Sequence, residues 1–277
     1  MRVSIIVFSM LAFVALAVVP AMADEAVFFK AGYLSLSPEG DFAVSNGSPG
    51  TRVDMEDDLG FDDSEEFMAE AAVLLGSFRL TASYLPLKFA GDGTLSRTIE
   101  FGGETFTANT AVNSDVDIDI YDLGLTWYLL NFDDLPVRLQ LGPEVSVKYI
   151  DADITMKSGA LSESESVSAP VPTIGLRGRV GFADFLAVAG RVGYLEFDDN
   201  SFLDADVQIE FSPLPLVGIF AGYRYLDVEV DESDVFLDLT FDGPYGGAFV
   251  GCRVEYARAT RKMSGEHHGR LEIRPVR

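Results

Sequence analysis

The densest group of residues that could do chemistry is a run of carboxylates. Eight of the 13 positions from 54 to 66 are acidic: Asp54, Glu56, Asp57, Asp58, Asp62, Asp63, Glu65 and Glu66. Nearby carboxylates repel one another unless cations lie between them, and calcium takes roughly six to eight oxygen ligands. We therefore predict weak divalent-cation binding at Asp54, Glu56, Asp57, Asp58, Asp62 and Asp63. The spacing is not that of an EF-hand loop, so a hydrated anionic surface is the alternative interpretation.

Residue types that catalyse reactions are scarce in the chain. The two histidines, His267 and His268, lie near the C-terminus, so no Ser–His or Asp–His pair can form between positions 24 and 256. A single cysteine, Cys252, excludes a disulfide framework and a zinc site built on several thiolates. The sequence contains no nucleophile-elbow, phosphate-loop or zinc-ligand motif. It therefore predicts no enzymatic activity and no cofactor.

The composition limits the classes of protein to which the chain can belong. Its 277 residues include 44 acidic and 20 basic side chains, a formal net charge of -24, and 48% apolar residues. This acidity argues against nucleic acid as a partner, because phosphate binding needs clustered Lys and Arg. The apolar fraction is too high for a disordered acidic protein. The fold must therefore separate apolar from charged side chains.

The N-terminal segment 1–23 has the features of a secretory signal peptide. A basic residue precedes an almost unbroken apolar run from Ile5 to Val19, and Ala21 and Ala23 are the small residues of a cleavage site. We expect the mature chain to begin at Asp24. A membrane anchor is the alternative, since the apolar stretch approaches the length of a spanning helix.

The rest of the chain, up to position 256, alternates between apolar and polar residues with a period of two, which is typical of strands with two different faces. In segment 202–212, for example, apolar residues alternate with Asp204, Asp206, Gln208 and Glu210. Ten such strands are predicted, at 26–37, 66–75, 77–90, 114–130, 136–155, 167–182, 185–197, 202–212, 216–230 and 235–256. Several are longer than the roughly five or six residues that are common in globular strands.

The connections between these strands alternate in length. Short turns are predicted near 76–77, 131–135, 183–184 and 212–215. Longer polar loops are predicted at 38–65, 91–113 and 156–166, with shorter ones at 198–201 and 231–234. The short turns fall on the same side as both termini, as in bacterial transmembrane barrels. We therefore predict an all-β fold: a closed antiparallel transmembrane β-barrel of about ten strands, within a range of eight to twelve, with short periplasmic turns and longer acidic extracellular loops.

Aromatic residues near the strand ends are typical of the interfacial girdles of such barrels. Those predicted to belong to a girdle are Tyr121, Trp127, Tyr128, Phe132, Phe182, Phe185, Phe211, Tyr223 and Tyr225.

The last predicted strand ends at Tyr256, and small or apolar residues precede it at every second position: Ala248, Val250, Cys252 and Val254. This pattern, with segments 223–228 and 241–245, resembles the closing hairpin of small, mostly uncharacterised outer-membrane β-barrel proteins of Gram-negative bacteria. The resemblance covers residues 24–256 and carries no catalytic motif. It implies a location in the cell outer membrane, with membrane lipid and lipopolysaccharide as surroundings and the barrel-assembly machinery as a partner during insertion.

The C-terminal segment 257–277 extends beyond the usual end of such proteins. It contains six basic and two acidic residues and has no sustained apolar periodicity. We predict a basic, disordered periplasmic tail, which completes a division into a signal peptide at 1–23, a barrel at 24–256 and the tail.

Charged residues at inward-facing positions have to share a narrow lumen. The residues predicted to line it are Arg79, Arg138, Glu144, Arg177, Arg179, Arg191, Glu210 and Arg224. Buried charges need partners, because burying an isolated charge costs several kcal/mol. Two functions remain open: a narrow, cation-favouring pore for ions or small solutes, and a non-conducting structural or surface-interaction barrel whose lumen is plugged by Arg–Glu pairs. In the second, loops 38–65 and 91–113 form the contact surface.

Overall fold

The structure, a computed structural model, is built from β-strands in the residues that it describes, which are 25–44, 51–56, 58–101, 103–132, 137–198, 200–214, 216–231 and 235–254. The strands are β1 (Glu25–Val44), β2 (Val53–Asp54), β3 (Ser64–Leu75), β4 (Phe78–Thr94), β5 (Ile99–Phe101), β6 (Glu104–Phe106), β7 (Ala111–Trp127), β8 (Leu130–Phe132), β9 (Arg138–Ser158), β10 (Leu161–Ala183), β11 (Leu186–Phe197), β12 (Asn200–Leu214), β13 (Val217–Asp231) and β14 (Val235–Val254). The predictions for 1–23, for 257–277 and for Asp57 fall outside these residues. Within the described ranges, no helix is long and apolar enough to cross a membrane.

Ten long strands form one closed antiparallel barrel. Their order around the wall is β1, β3, β4, β7, β9, β10, β11, β12, β13, β14, and β14 pairs with β1 to complete the circle. Closure gives each of the ten strands hydrogen-bonded neighbours on both sides, which removes most of the edge that an open sheet would expose. Two ladders are short: β4 pairs with β3 only from Phe78 to Tyr84, and β10 pairs with β11 only from Ile174 to Ala183. The predicted fold class is therefore confirmed.

The two ends of the barrel differ in their connections. At one end, short turns join β3 to β4, β10 to β11 and β12 to β13, and β1 begins and β14 ends there. Gly76 lies in the first of these turns with a φ of 61°, a conformation that favours glycine. The turns after β3 and β10 lie within a residue of their predicted positions, whereas β12 continues to Leu214 through most of the turn predicted at 212–215. The predicted turn 131–135 lies partly outside the described residues. This end of the barrel is the one that faces the periplasm in bacterial barrels.

At the opposite end, the predicted loop at 156–166 is wrong. There β9 and β10 continue their pairing as far as Ser158 and Leu161, so the connection is a tight turn. Gly159, at a φ of 63°, allows that turn.

The half of the barrel next to the short turns, called the lower half, has the polarity of a membrane-spanning wall. Its outward side chains are apolar and exposed, as at Phe29, Val145, Ile174 and Ile219. A strand segment such as 141–149 rises about 23 Å at about 3.3 Å per residue and a tilt of about 40°, which matches the roughly 25 Å apolar band of outer-membrane barrels. The lower half comprises residues 27–33, 67–75, 78–84, 121–127, 141–149, 174–182, 186–194, 203–211, 217–225 and 244–250.

In the remaining part of the wall, called the upper half, the two faces exchange polarity. On β7, Asp115 and Asp117 point outward, whereas Val116 and Ile120 are buried inside the barrel. The neighbouring strand β9 repeats the pattern, with Asp153 exposed on its outer face. The period of two is the same in both halves, but the apolar face is turned to lipid below and to the barrel interior above.

Aromatic side chains mark both rims of the lower half. Outward rings near the short turns belong to Phe78, Trp127, Phe132, Phe182, Phe185 and Phe211, and those next to the upper half belong to Tyr33, Tyr121, Tyr149, Tyr194, Tyr223 and Tyr225. Phe78 stacks on Trp127 across two neighbouring strands. The placement of Tyr128 in the girdle is wrong, because its side chain is buried.

Candidate functional site: the charged layer and the apolar cap

A lysine buried inside the barrel joins strands that are not neighbours. Lys148 of β9 places its Nζ 2.6 Å from Asp122 Oδ2 of β7 and 2.8 Å from Asp204 Oδ2 of β12. Two strands, β10 and β11, separate β9 from β12 along the wall, so this contact crosses the lumen. Lys148 is only 2% exposed and Asp204 only 1%.

Arg191 of β11 binds three carboxylates at the same level. Its Nη1 lies 2.8 Å from Asp122, its Nη2 3.1 Å from Asp204 and its Nε 2.6 Å from Asp206. Arg224 of β13 adds a contact of 2.9 Å to Asp204. Because each guanidinium offers several donors in a fixed plane, one arginine can bind carboxylates from opposite sides of the wall.

Tyr245 connects this network to a further strand, β14. Its hydroxyl donates to Asp206 Oδ1 at 2.9 Å, and Gln208 Oε1 lies 3.3 Å away. We call Lys148, Arg191, Arg224, Asp122, Asp204 and Asp206 the charged layer.

Further ion pairs fill the interior between the charged layer and the short turns. Arg177 binds Glu144, which also accepts a hydrogen bond of 2.6 Å from Thr126. Arg79 and Glu70 pair at 3.0 Å on neighbouring strands. Both carboxylates are therefore held by cations on adjacent strands.

Glu210 of β12 is held by two cations from different sides of the lumen. Lys30 of β1 approaches it to 3.3 Å across the interior, and Arg179 of β10 to 2.9 Å. Gln208 donates a further hydrogen bond of 2.6 Å. With this group, every charged side chain that the structure describes inside the lower half is paired with a side chain of opposite charge.

The structure places seven of the eight residues predicted to line the lumen in these networks: Arg79, Glu144, Arg177, Arg179, Arg191, Glu210 and Arg224. Arg138 lies apart from them at the end with the short turns, where its 44% exposed side chain binds Asp184. Sequence reasoning did not select Asp122, Asp204 or Asp206 as lining residues. All three alternate with apolar neighbours, so their inward position could have been predicted from the period of two.

Above the charged layer lies an apolar layer made of wall and loop residues. Phe89 of β4 stacks on Phe241 of β14 at 5.3 Å, and Phe61 approaches Phe89 at 6.4 Å. The loop hairpin β5–β6 contributes Phe101, whose ring lies 6.3 Å from that of Phe42. We call this layer the apolar cap; its fully buried residues include Leu34, Leu36, Leu59, Leu87, Leu95, Ile99 and Phe106.

The cap requires close approach of the loop to the wall. A Cβ atom at Gly93 of β4 would lie 2.3 Å from the backbone oxygen of Asp58, and one at Gly91 would lie 2.5 Å from that of Leu59. Only glycine leaves room for this packing. Loops 38–65 and 91–113, which the sequence predicts as an exposed contact surface, therefore bury their apolar side chains inside the mouth of the barrel.

The acidic run at the mouth is distributed over several separate contacts. Asp58 is buried and accepts hydrogen bonds from Ser96 at 2.9 Å, from Arg97 at 3.1 Å and from the backbone N–H of Asp54 at 3.2 Å. Asp63 accepts one from Ser37 at 2.7 Å.

The remaining candidates for cation binding contribute backbone groups to the same loop. Glu56 donates its N–H to Asp54 at 2.9 Å, and the N–H of Asp62 donates to the carbonyl of Ala90 at 3.2 Å. Within the ranges that the structure describes, no three carboxylates lie close enough together to hold a metal ion. Asp57 lies outside those ranges.

Tyrosine hydroxyls bind carboxylates where the outer surface changes from apolar to acidic. Tyr84 donates to Asp119 at 2.6 Å. The same arrangement joins Tyr33 to Glu65 at 3.0 Å, Tyr194 to Glu196 at 3.0 Å, Tyr225 to Asp227 at 3.2 Å, and Tyr223 to Asp242. Interfacial tyrosines keep the ring in lipid and the hydroxyl in a polar layer. These pairs therefore mark the boundary between the lower and the upper half.

No protein-family model and no curated protein match the chain in sequence. Among solved structures, the outer-membrane protease OmpT of Escherichia coli superposes with a TM-score of 0.51 at 12% identity, covering 83% of this chain and 96% of that one. Ail of Yersinia pestis, in complex with a heparin analogue, gives 0.35 at 11% identity over 82% and 99%. Likeness to OmpT at this identity shows the architecture alone: the chain has the outer-membrane β-barrel fold.

Proposed function

We propose that this protein is a non-conducting outer-membrane barrel whose function lies in its acidic upper half, outside the membrane. The lower half lies in lipid, with lipopolysaccharide around its outer rim, and the upper half projects from the cell surface. The observation that carries the proposal is the bridge formed by Lys148 and Arg191, which joins Asp122 to Asp204 across the lumen.

The charged layer opposes ion flow for an energetic reason. An ion could pass only if paired, buried charges separated, and breaking such a pair costs about 3–5 kcal/mol. The interior of an eight-stranded barrel is just filled by side chains, and ten strands add little width.

The apolar cap is a second barrier in series with the first. An ion that entered from the upper end would lose its hydration among Phe42, Phe61, Phe89 and Phe101, which offer no polar group in exchange. Two consecutive barriers of different chemistry support the closed barrel over the cation-favouring pore. The absence of enzymatic activity stays a prediction, which is based on the lack of histidine between 24 and 256.

Single-channel recording tests this proposal. The mature chain is refolded and inserted into planar bilayers, and folding is checked by the shift in gel mobility between boiled and unboiled samples. Folded protein is expected to give no steady conductance. A steady, salt-dependent conductance would favour the pore, and Arg191→Glu should then change its ion selectivity.

A further inference from the structure

The barrel wall has a notch in the upper half between β10 and β11. β10 pairs with β9 over its whole length up to Leu161, but with β11 only from Ile174 downward. β11 ends at Phe197, and β12 begins at Asn200. Among the residues described, no strand pairs with the second edge of β10 between 161 and 173.

Two prolines show which backbone groups face this notch. Pro170 and Pro172 pair with Tyr149 and Val147 in the continuous ladder between β10 and β9. Proline has no N–H, so it fits only where the backbone groups point away from the paired strand. Because backbone direction alternates along a strand, the N–H and C=O groups of the even-numbered residues above them also face the notch: Ser162, Ser164, Ser166 and Ser168.

The charged side chains on the two edges of the notch are acidic, and the nearby Lys157 of β9, opposite Ser162, is paired with Asp115 at 3.6 Å. Glu163 and Glu165 lie on β10, and Glu196, Asp198 and Glu229 lie on the other side. Segments 161–173, 194–203 and 226–231 contain no Lys or Arg. The free edge is therefore an anionic template for another strand.

We infer that the free edge of β10 from Ser162 to Ser168 binds an extended, cationic peptide segment of another protein by β-strand addition. Backbone hydrogen bonds to the four serines align the segment, and Glu163 and Glu165 attract its Lys or Arg side chains. The template ends at Ser168, opposite Asp151, because Pro170 pairs with Tyr149 at the upper rim of the lower half. The added strand therefore stops short of lipid. A second copy of this chain would bring an equally acidic edge and be repelled.

The test uses the full mature chain in lipid nanodiscs and a fluorescent decapeptide of alternating Lys and Val. A matched decapeptide with alternate N-methylated amides keeps the charge but loses the edge donors. Ser166→Pro removes one donor at a position equivalent to Pro170 and Pro172, so the ladder with β9 is kept. Ser166→Ala is the matched control, because it changes only the side chain.

The Lys–Val peptide is expected to bind and to slow hydrogen exchange at the four serine amides. N-methylation and Ser166→Pro should each weaken binding at least about 10-fold, whereas Ser166→Ala should not. No binding, equal binding of the N-methylated peptide, or peptide-independent dimers paired at this edge would overturn the inference. If Ser166→Pro does not fold, the N-methylated peptide still decides.

This inference rests on the proposed function only in that the upper half must be exposed at the cell surface. Conductance and peptide binding are separate measurements. A barrel that conducts ions and still binds the peptide would reject the closed lumen and keep the docking edge.

Discussion

Lys148 and Asp204 lie 2.8 Å apart although two strands separate their own strands around the barrel wall. Each is almost completely buried, so neither charge can exchange its partner for water. The pair therefore links opposite sides of the wall as well as closing the lumen. Such a link can exist only in the folded barrel, because 56 positions separate the two residues along the chain.

Removing the buried ammonium should destabilise the barrel strongly. Lys148→Met leaves Asp122 and Asp204 without one of their cations, and breaking a buried pair in this way costs about 3–5 kcal/mol. Lys157→Met is the matched control on the same strand, because its pair with Asp115 is exposed, at 3.6 Å, and worth about 0–1 kcal/mol. Urea unfolding in lipid vesicles, followed by fluorescence, measures both. Similar losses for the two variants would contradict the role of the charged layer.

The apolar cap should contribute to stability through the loop hairpin. Phe101 is 1% exposed, and Phe101→Ala is expected to lower the free energy of unfolding by about 3–5 kcal/mol. Phe197, at 68% exposed, is the control, and Phe197→Ala should cost about 1 kcal/mol or less. Denaturant titration of the refolded proteins checks this prediction. An equally small effect at Phe101 would mean that the hairpin does not pack inside the mouth.

The outward residues of β9 change from apolar to acidic along the strand, and this change predicts where the lipid-covered part of the wall ends. Trp127 is the single tryptophan, so a Trp127→Phe background allows one new tryptophan at a time. The tryptophan fluorescence of Val145→Trp should be quenched strongly by lipids with brominated acyl chains, because position 145 lies on the outward, apolar face of the lower half. Asp153→Trp, eight positions further along the same face, should not be quenched. Equal quenching at both positions would show that lipid covers the upper half as well.

Like charges oppose one another on the outer surface of the upper half. Asp153 pairs with Asp117 in the ladder between β7 and β9, and directly opposed like charges are destabilising. Asp153→Lys should therefore raise the free energy of unfolding by about 0.2–1 kcal/mol, and added salt should reduce the gain. Asp153→Asn separates loss of repulsion from gain of attraction. A salt-independent loss of stability in Asp153→Lys would count against this surface pairing.

The local pattern of residues specifies the strands and much of the barrel. A period of two over ten segments, with short turns on the side of both termini, is specified locally by neighbouring residues, and it was sufficient for the closed antiparallel barrel. The same parity selected most of the charged residues that the structure places in the interior. It also contained the signal for Asp122, Asp204 and Asp206, which alternate with apolar neighbours.

Where along each strand the outward face changes from apolar to polar depends on the tertiary structure. Alternation with charged residues indicates the inward face of the lower half, but on the same face of β9 the outward residue is apolar at Val145 and acidic at Asp153. The burial of loop residues such as Phe101, the bridge from Lys148 to Asp204 and the unpaired edge of β10 also depend on contacts between distant segments. These contacts depend on how far each strand extends beyond the lower half in the closed wall. No local pattern of residues encodes that extent.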